Sequence, residues 1–543
     1  MRLLYRHFLR TFFKSEGVAE GGDPRSLVVA IGGMAASIAV MVCFGIVAMA
    51  GAIDPRPLVG FFLTLSMALT AVVATIEWDT LFPGPTDFAV LRPLPLAPGA
   101  IFATKLAALI TFVTGFVVLT NMFSATLLPV FSAPVSYTML RTLRVALGQI
   151  VATAAGSAWA FFLVMALCGL LLAIGGEWAL RRLGPLIQFL AFTASLTTCV
   201  LCWYLMSPQE FYRMAGSRWA PVNPILWFVG LDQTLAGMPF PNAQRLAHHA
   251  TEALLWTGLA ALVLFLLGYE RRLRASPIAD GRSRSQGLAP AGALSSPRRT
   301  VGAFAARTLA RSRRHQLYLS GWLAAGCALI LAGWLELAWH LVGTRPPAVA
   351  LAALATPLTL VFFILAGLRH AFAVPIAPTA NWVFQLALPD GAMAGLAAAR
   401  HLMWLAVAPV LVATLAVALY VEAWPAALLQ SLATTALALL MIEACLMHFR
   451  KLPFTCTYLP DKLNLKGTGM AFCGVFLLYA YGSASLELRL TPHPASLAAA
   501  GLLVAGAAFA LHALNRHWLA RSEDGAQFED VAEPIVHSLL DRG

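Results

Sequence analysis

The chain has 543 residues, of which 59% are hydrophobic and only 11% are charged. A soluble globular domain carries roughly 25% charged residues, so this composition excludes a water-soluble protein and predicts a surface that faces lipid. The formal charge of +12 does not indicate nucleic-acid binding, because Lys and Arg flank the apolar blocks, as they do in membrane proteins.

The chain contains twelve segments with the roughly 20 mostly apolar residues that a membrane-spanning helix needs. Their pattern predicts an all-α polytopic membrane protein with about 12 transmembrane helices in two pseudo-repeated six-helix halves. The predicted spans are 27–50, 57–77, 106–130, 146–174, 185–206 and 250–269 in the first half, and 317–338, 348–368, 401–421, 425–447, 468–486 and 495–514 in the second.

Basic residues are concentrated on one side of the predicted membrane. With a cytoplasmic N-terminus and twelve crossings, 29 of the 37 Lys and Arg residues lie in cytoplasmic segments. Cytoplasmic loops of membrane proteins are enriched in Lys and Arg, so the distribution predicts that both termini are cytoplasmic.

A basic segment separates the two halves. Residues 271–316 are predicted to form a cytoplasmic linker and an interfacial helix, and the Gly/Ser/Pro-rich stretch 275–300 to lack stable structure. The first six-span half is then 1–270 and the second 317–520, followed by an acidic tail, 521–543.

Each half opens with a basic amphipathic segment before its first span. Such a segment predicts a helix that lies in the membrane interface, or a simpler positive-inside anchor. Basic and apolar residues interleave in both, as Arg2, Arg6 and Arg10 with Leu3, Leu4, Phe8 and Phe12, and as Arg307, Arg311 and Arg314 with Val301, Phe304 and Leu309.

The cytoplasmic loop after the second span of each half is the clearest internal repeat. Each loop opens with Pro, continues into a short apolar segment, breaks at Pro or Gly and ends at a cation. Transporters often contain such duplications. The candidate coupling residues are Asp87, Phe88, Leu91, Arg92, Pro95 and Lys105 in the first loop, and Asn381, Trp382, Phe384 and Arg400 in the second.

Two further loops carry information. Outside, the Pro-bounded apolar run 221–229 is too short to span; Pro221, Pro224 and Trp227 indicate a re-entrant or interfacial helix, or else part of a loose outer loop. Inside, 450–467 mixes cations with aromatic residues and Pro, which fits an ordered docking or interfacial loop, or a solvated one.

No energy source is visible in the chain itself. A G-x-x-x-x-G-K-[ST] phosphate loop is absent, and neither a nucleophile elbow nor a paired-histidine zinc motif occurs. We therefore expect no enzymatic activity and no cofactor. The ionisable residues of the predicted spans lie near the span ends, and no acidic residue falls clearly at mid-membrane. Those near the cytoplasmic ends are Glu77 and Glu443, and those near the outer ends are Glu252, Glu336 and His340.

The stretch from Asp87 to Lys105 resembles the coupling segment of type-2 ABC exporter permeases, in which an acid opens, a Leu-Pro element follows and a Lys begins span three. The family resemblance implies six spans per half, an N-terminal interfacial helix and a re-entrant outer feature between spans five and six. The second half departs from it, since Ala380 replaces the acid and the outer loop is only eight residues, 487–494. Its loops are similar to those of double-length ABC exporter proteins.

This resemblance implies the permease of an ATP-driven exporter in a bacterial-type inner membrane, working with a separate ATP-binding subunit on an unknown substrate. Two alternatives stay open. A twelve-span secondary carrier would need mid-membrane ionisable residues. A membrane-embedded transferase would need polar residues clustered at one interface, for which the nearest are His370, Arg369 and Glu77.

Overall fold

The structure is a computed structural model. It describes residues 2–13, 55–79, 81, 98–132, 138–238, 240–274, 297–339, 346–376, 381–387, 391–455 and 465–521. Within these ranges the regular elements are helices, and no β-strand occurs among them. The predicted all-α fold class is confirmed.

The chain divides into two compact units, Met1–Arg284 with Cys327–Ala332, and Ser285–Gly326 with Gly333–Gly543. Among the described residues, the helices before the division are α1 (Arg2–Phe13), α2 (Pro55–Ile76), α3 (Pro98–Ser132), α4 (Met139–Leu201), α5 (Pro208–Ala215), α6 (Pro224–Ala236) and α7 (Ala243–Arg274). Those after it are α8 (Pro297–Arg311), α9 (Arg313–Trp339), α10 (Pro346–Ala371), α11 (Asn381–Ala387), α12 (Gly391–Val421), α13 (Trp424–Cys445), α14 (Leu465–Leu477), α15 (Ser483–Leu490) and α16 (Pro494–Arg521).

Eleven helical stretches in the described part of the chain are long and apolar enough to cross a membrane. They correspond to eleven of the twelve predicted spans, although the ends of some helices differ from the predicted ends by several residues. The remaining prediction, 27–50, lies outside the described residues. The multi-span membrane architecture is therefore supported by length and composition.

Two spans join in α4 without a loop between them. The helix is interrupted at Gly176, whose φ of 59° and ψ of −150° are not helical. A positive φ is readily available only to glycine, so the sequence turns at this position. Arg271 of α7 donates to the carbonyl oxygens of Ala173 and Ile174, which caps the first span where it ends.

Several predicted boundaries are wrong. The span at 468–486 occupies Ala471–Leu490, because one π-helical turn, Leu478–Gly482, joins α14 to α15 without a break. The stretch 275–300 overlaps α8, which begins at Pro297. Residues 207–249, which lie between the fifth and sixth predicted spans, are mostly helical, and the last of these residues belong to α7.

Both amphipathic segments form helices that pack against their own unit. In α1, Phe8 is fully buried and the Tyr5 hydroxyl donates to Thr111 Oγ1 of α3 at 2.9 Å. In α8, the buried residues Val301, Ala305 and Thr308 follow helical spacing. Each helix therefore uses its apolar face for packing within the protein.

Candidate functional site

The short helix α11 lies in the connection between α10 and α12, where the second coupling loop was predicted. Its first residue, Asn381, is buried, and the Nδ2 group donates to the Thr455 carbonyl oxygen at 2.8 Å. Breaking a buried hydrogen bond between a side-chain amide and a carbonyl oxygen costs free energy. This contact therefore fixes the start of α11.

Phe384 attaches the middle of α11 to the amphipathic helix α8. Its ring lies 5.0 Å from the Phe304 ring, centroid to centroid. It also packs against the buried cluster of Val301, Ala394, Ala398 and Leu452. Tilted aromatic pairs contribute about 0.5–1.5 kcal/mol beyond the area that they bury, so α11, α8 and the start of α12 form one layer.

Residues 448–455, called the strap below, hold this layer from the other side. Lys451, Leu452 and Phe454 are almost fully buried. Two backbone hydrogen bonds of 3.1 Å, from Phe454 N to Phe372 O and from Ile376 N to Phe454 O, fasten the strap to the end of α10. The ordered reading of 450–467 is thus correct for 450–455; residues 456–464 lie outside the described part.

One face of α11 remains uncovered within the described structure. Trp382 is 60% exposed, Val383 45% and Leu386 78%. Trp382 and Leu386 stand one helical turn apart and so share a side. These side chains form an exposed apolar patch on a connection between two candidate spans, here called the α11 face.

Arg400, predicted to act in coupling, is engaged within the second unit. Its guanidinium pairs bidentately with the Glu443 carboxylate, Nε to Oε1 at 2.7 Å and Nη2 to Oε2 at 2.9 Å. His512 Nδ1 lies 3.0 Å from Oε1, and Asn515 Nδ2 donates to Oε2 at 3.2 Å. These groups join α12, α13 and α16.

The first unit places Lys105 differently from its predicted counterpart. Lys105 is 1% exposed, and its ammonium lies 4.9 Å from the centroid of the Phe8 ring in α1. This cation–π geometry ties the start of α3 to the amphipathic helix. The other predicted coupling residues of this half, Asp87, Phe88, Leu91, Arg92 and Pro95, lie outside the described residues.

The outer apolar run forms the helix α6, so the reading as a loose loop is wrong. Pro224 occupies its first turn, Asn223 caps it, and the helix continues to Ala236 instead of ending at 229. Trp227 Nε1 donates to the Pro221 carbonyl oxygen at 2.8 Å. Packing against α2, α4 and α7 buries most of the helix.

Asp232 of α6 is a buried acid that sequence analysis missed. Its Oδ2 accepts from Gln233 Nε2 at 2.6 Å, while Oδ1 and Gln233 Oε1 are buried without a hydrogen-bond partner. Burial raises the pKa of Asp232 to about 7. The signal available in the sequence was an acid inside the otherwise apolar run of α6.

A chain of polar side chains crosses the first unit, and it was also missed. Ser66 of α2 lies 2.7 Å from Ser157 of α4, hydroxyl to hydroxyl, and Asn121 of α3 donates to Ser66 Oγ at 2.6 Å. Gln149 Nε2 donates to the Ser124 carbonyl at 3.3 Å. These buried groups form what we call the polar seam, which links three candidate spans.

The ionisable residues considered for a carrier or transferase have varied surroundings. Glu252 lies on the surface beside His248 and His249. Glu77 is buried in the first unit, whereas His370 stacks on Trp322 in the second, with ring centroids 4.7 Å apart. Glu487, not considered earlier, is buried near the end of its span, with Oε1 unpartnered.

No group of His, Cys, Asp and Glu within the described ranges could hold a metal ion. A search of protein families, of curated proteins and of solved structures finds no match to this chain. The features of the described residues that bear on function are therefore the α11 face, the polar seam and the buried acids.

Proposed function

We propose that this chain is the membrane-spanning permease of an ATP-driven exporter of the type-2 ABC kind, located in a bacterial-type inner membrane. A separate ATP-binding subunit docks on the cytoplasmic loops and supplies the energy. The observation that carries the proposal is the α11 face, where Trp382 and Leu386 are exposed on a helix held by Asn381 and Phe384.

The scaffold around α11 suits the transmission of force. A lever must move as a body, and α11 is fixed to the strap and to α8 by side-chain contacts. The strap in turn follows α13, and α11 precedes α12. Movement imposed on the α11 face would therefore reach two candidate spans directly.

The partner is tested by isolating the tagged full-length chain from its native membrane after trapping with ATP and vanadate. We expect a co-purified subunit that contains a phosphate-loop sequence, identified by mass spectrometry, and vanadate-sensitive ATP hydrolysis. The chain alone should not hydrolyse ATP, because no phosphate loop occurs in its sequence. Hydrolysis by the chain alone would contradict the proposal.

Sidedness is tested separately. The proposal needs α11 in the cytoplasm, as the distribution of basic residues predicts. Cysteine introduced at Leu386, in a variant whose native cysteines are replaced, should react with a membrane-impermeant maleimide only in inside-out vesicles. Labelling from the external side of intact cells would place the α11 face opposite to any ATP-binding subunit.

The second candidate function is a secondary carrier, and two buried acids favour it. Asp232 and Glu487 each hold a carboxylate oxygen without a hydrogen-bond partner. Such groups occur in ion-coupled transporters. Proteoliposomes separate the two functions: a carrier responds to an imposed ion gradient without ATP, whereas the exporter needs internal ATP and its partner.

A further inference from the structure

An open groove of about 560 Å³ separates part of α8 from α12 in the second unit. Its lining includes the basic residues Arg298, Arg299 and His401 and small residues such as Gly302. A side chain built on Gly302 would meet nothing within 4 Å, so the groove leaves room for a ligand at this residue.

The charge of the groove is one-sided. Its lining contains two Arg side chains and one His but no acidic residue, and α8 as a whole has none. A ligand that suits these side chains carries negative charge.

The remaining large side chains of the lining are apolar. They are Leu402 and Leu405 of α12, and Leu405 is 62% exposed. Leu405 lies one helical turn beyond His401, on a helix long and apolar enough to cross a membrane. The lining therefore combines basic side chains with apolar side chains that belong to a candidate span.

We propose that this groove binds an anionic phospholipid of the surrounding bilayer, with its phosphate beside Arg298 and Arg299 and an acyl chain along Leu402 and Leu405. Basic pockets beside membrane helices recognise anionic headgroups in this way. A free anion would need only the basic side chains, and a neutral lipid would need only the apolar ones. The site is independent of the exporter function, since a carrier with the same groove would bind the same lipid.

The groove is held in shape by the packing of the buried side of α8. Val301 and Ala305 are buried, and Val301 packs in the cluster that includes Ala394 and Leu452. Removal of the exposed Arg298 and Arg299 head groups should leave that packing intact. A test can therefore change the charge of the groove without unfolding α8.

The experiment is native mass spectrometry of the delipidated full-length protein, titrated with phosphatidylglycerol or with phosphatidylcholine of the same chains. We expect one phosphatidylglycerol to bind tightly and phosphatidylcholine at least tenfold more weakly. Arg298→Gln with Arg299→Gln should weaken phosphatidylglycerol binding roughly 30-fold, at about one factor of five for each cation. Equal binding of both lipids, or unchanged binding by the double variant, would overturn the proposal.

Two controls make the result specific. Arg2→Gln with Arg6→Gln removes two exposed charges from the other amphipathic helix and should leave the tight site unchanged. Leu405→Gln should weaken the binding of phosphatidylglycerol, whereas an excess of inorganic phosphate should not displace the bound lipid. Displacement by phosphate, with no effect of Leu405→Gln, would show an anion site that does not recognise lipid. Each variant is compared at matched thermal stability.

Discussion

Arg400 and Glu443 form a bidentate ion pair that joins α12 to α13 inside the second unit. The side chain of Glu443 is 4% exposed and that of Arg400 17%. Two residues distant in the sequence thus neutralise each other, and the Arg400 guanidinium is engaged within the second unit.

Loss of one member of this pair should destabilise the protein. In Glu443→Gln the Arg400 charge stays buried without its counter-charge, and such a loss typically costs 3–5 kcal/mol. We expect a clearly lower midpoint of thermal unfolding in detergent for Glu443→Gln. The matched control is Glu252→Gln, whose acid pairs with His248 on the surface and whose loss should change stability by less than about 1 kcal/mol. Equal effects of the two substitutions would contradict the role of the pair.

Gly395 in α12 marks a close approach between two backbones. A Cβ at this position would lie 2.6 Å from the Lys451 carbonyl oxygen, which belongs to the strap. Gly395→Ala should therefore destabilise by about 1–3 kcal/mol, although alanine is the better helix former.

The control for this substitution is Gly333→Ala in α9, where a Cβ would meet no atom within 4 Å. It should stabilise by up to about 1 kcal/mol, measured as the shift of the same unfolding transition. A Gly395→Ala variant that gains stability as Gly333→Ala does would show that the strap can move away freely.

Asp232 should make stability depend on pH. Its folded pKa of about 7 exceeds the ordinary value of 3.8, so the folded protein keeps a proton that the unfolded chain has lost. Stability contributed by the protonated form is complete below pH about 4 and decreases as pH rises towards 7. Asp232→Asn should therefore raise the unfolding midpoint at pH 8 and change it little at pH 4.

At pH 8 the free energy of unfolding of Asp232→Asn should exceed that of the wild type by as much as ~4 kcal/mol, at about 1.4 kcal/mol for each pKa unit. Glu210→Gln serves as the control, because Glu210 pairs with Arg213 at the edge of α5. A stability difference between Asp232→Asn and wild type that is the same at both pH values would contradict the titration of Asp232.

Hydropathy predicted the spans because a membrane helix is specified locally, by length and composition. Helix ends were less predictable: a π-helical turn carried one span past 486 to Leu490, and α6 continued past 229. The partners of Arg400 and Lys105 could not be read from sequence. Glu443 and Phe8 are distant along the chain, and only packing of the helices brings them together. The sequence identified Asn381 and Trp382 as candidate residues. It did not predict that Asn381 is buried and anchors the helix while Trp382 is exposed.

The proposed ATP-binding subunit docks on the cytoplasmic loops, and the α11 face is an exposed, described part of them. Large aromatic side chains dominate the binding energy of such contacts, often by 2 kcal/mol or more each. Phe88→Ala with Trp382→Ala should thus leave the protein inserted and folded but remove its binding to that subunit. The control is Trp424→Ala, which changes a tryptophan of similar exposure at the start of α13.

The most direct measurement is the affinity of the purified full-length chain for its ATP-binding subunit, determined in detergent with each variant at matched unfolding midpoint. We predict that Phe88→Ala with Trp382→Ala weakens binding by roughly 1000-fold, as loss of two residues worth about 2 kcal/mol each implies, while Trp424→Ala binds like wild type. Unaltered affinity of the double variant would contradict docking at these two loops, and residues 448–467 would then be the next surface to test.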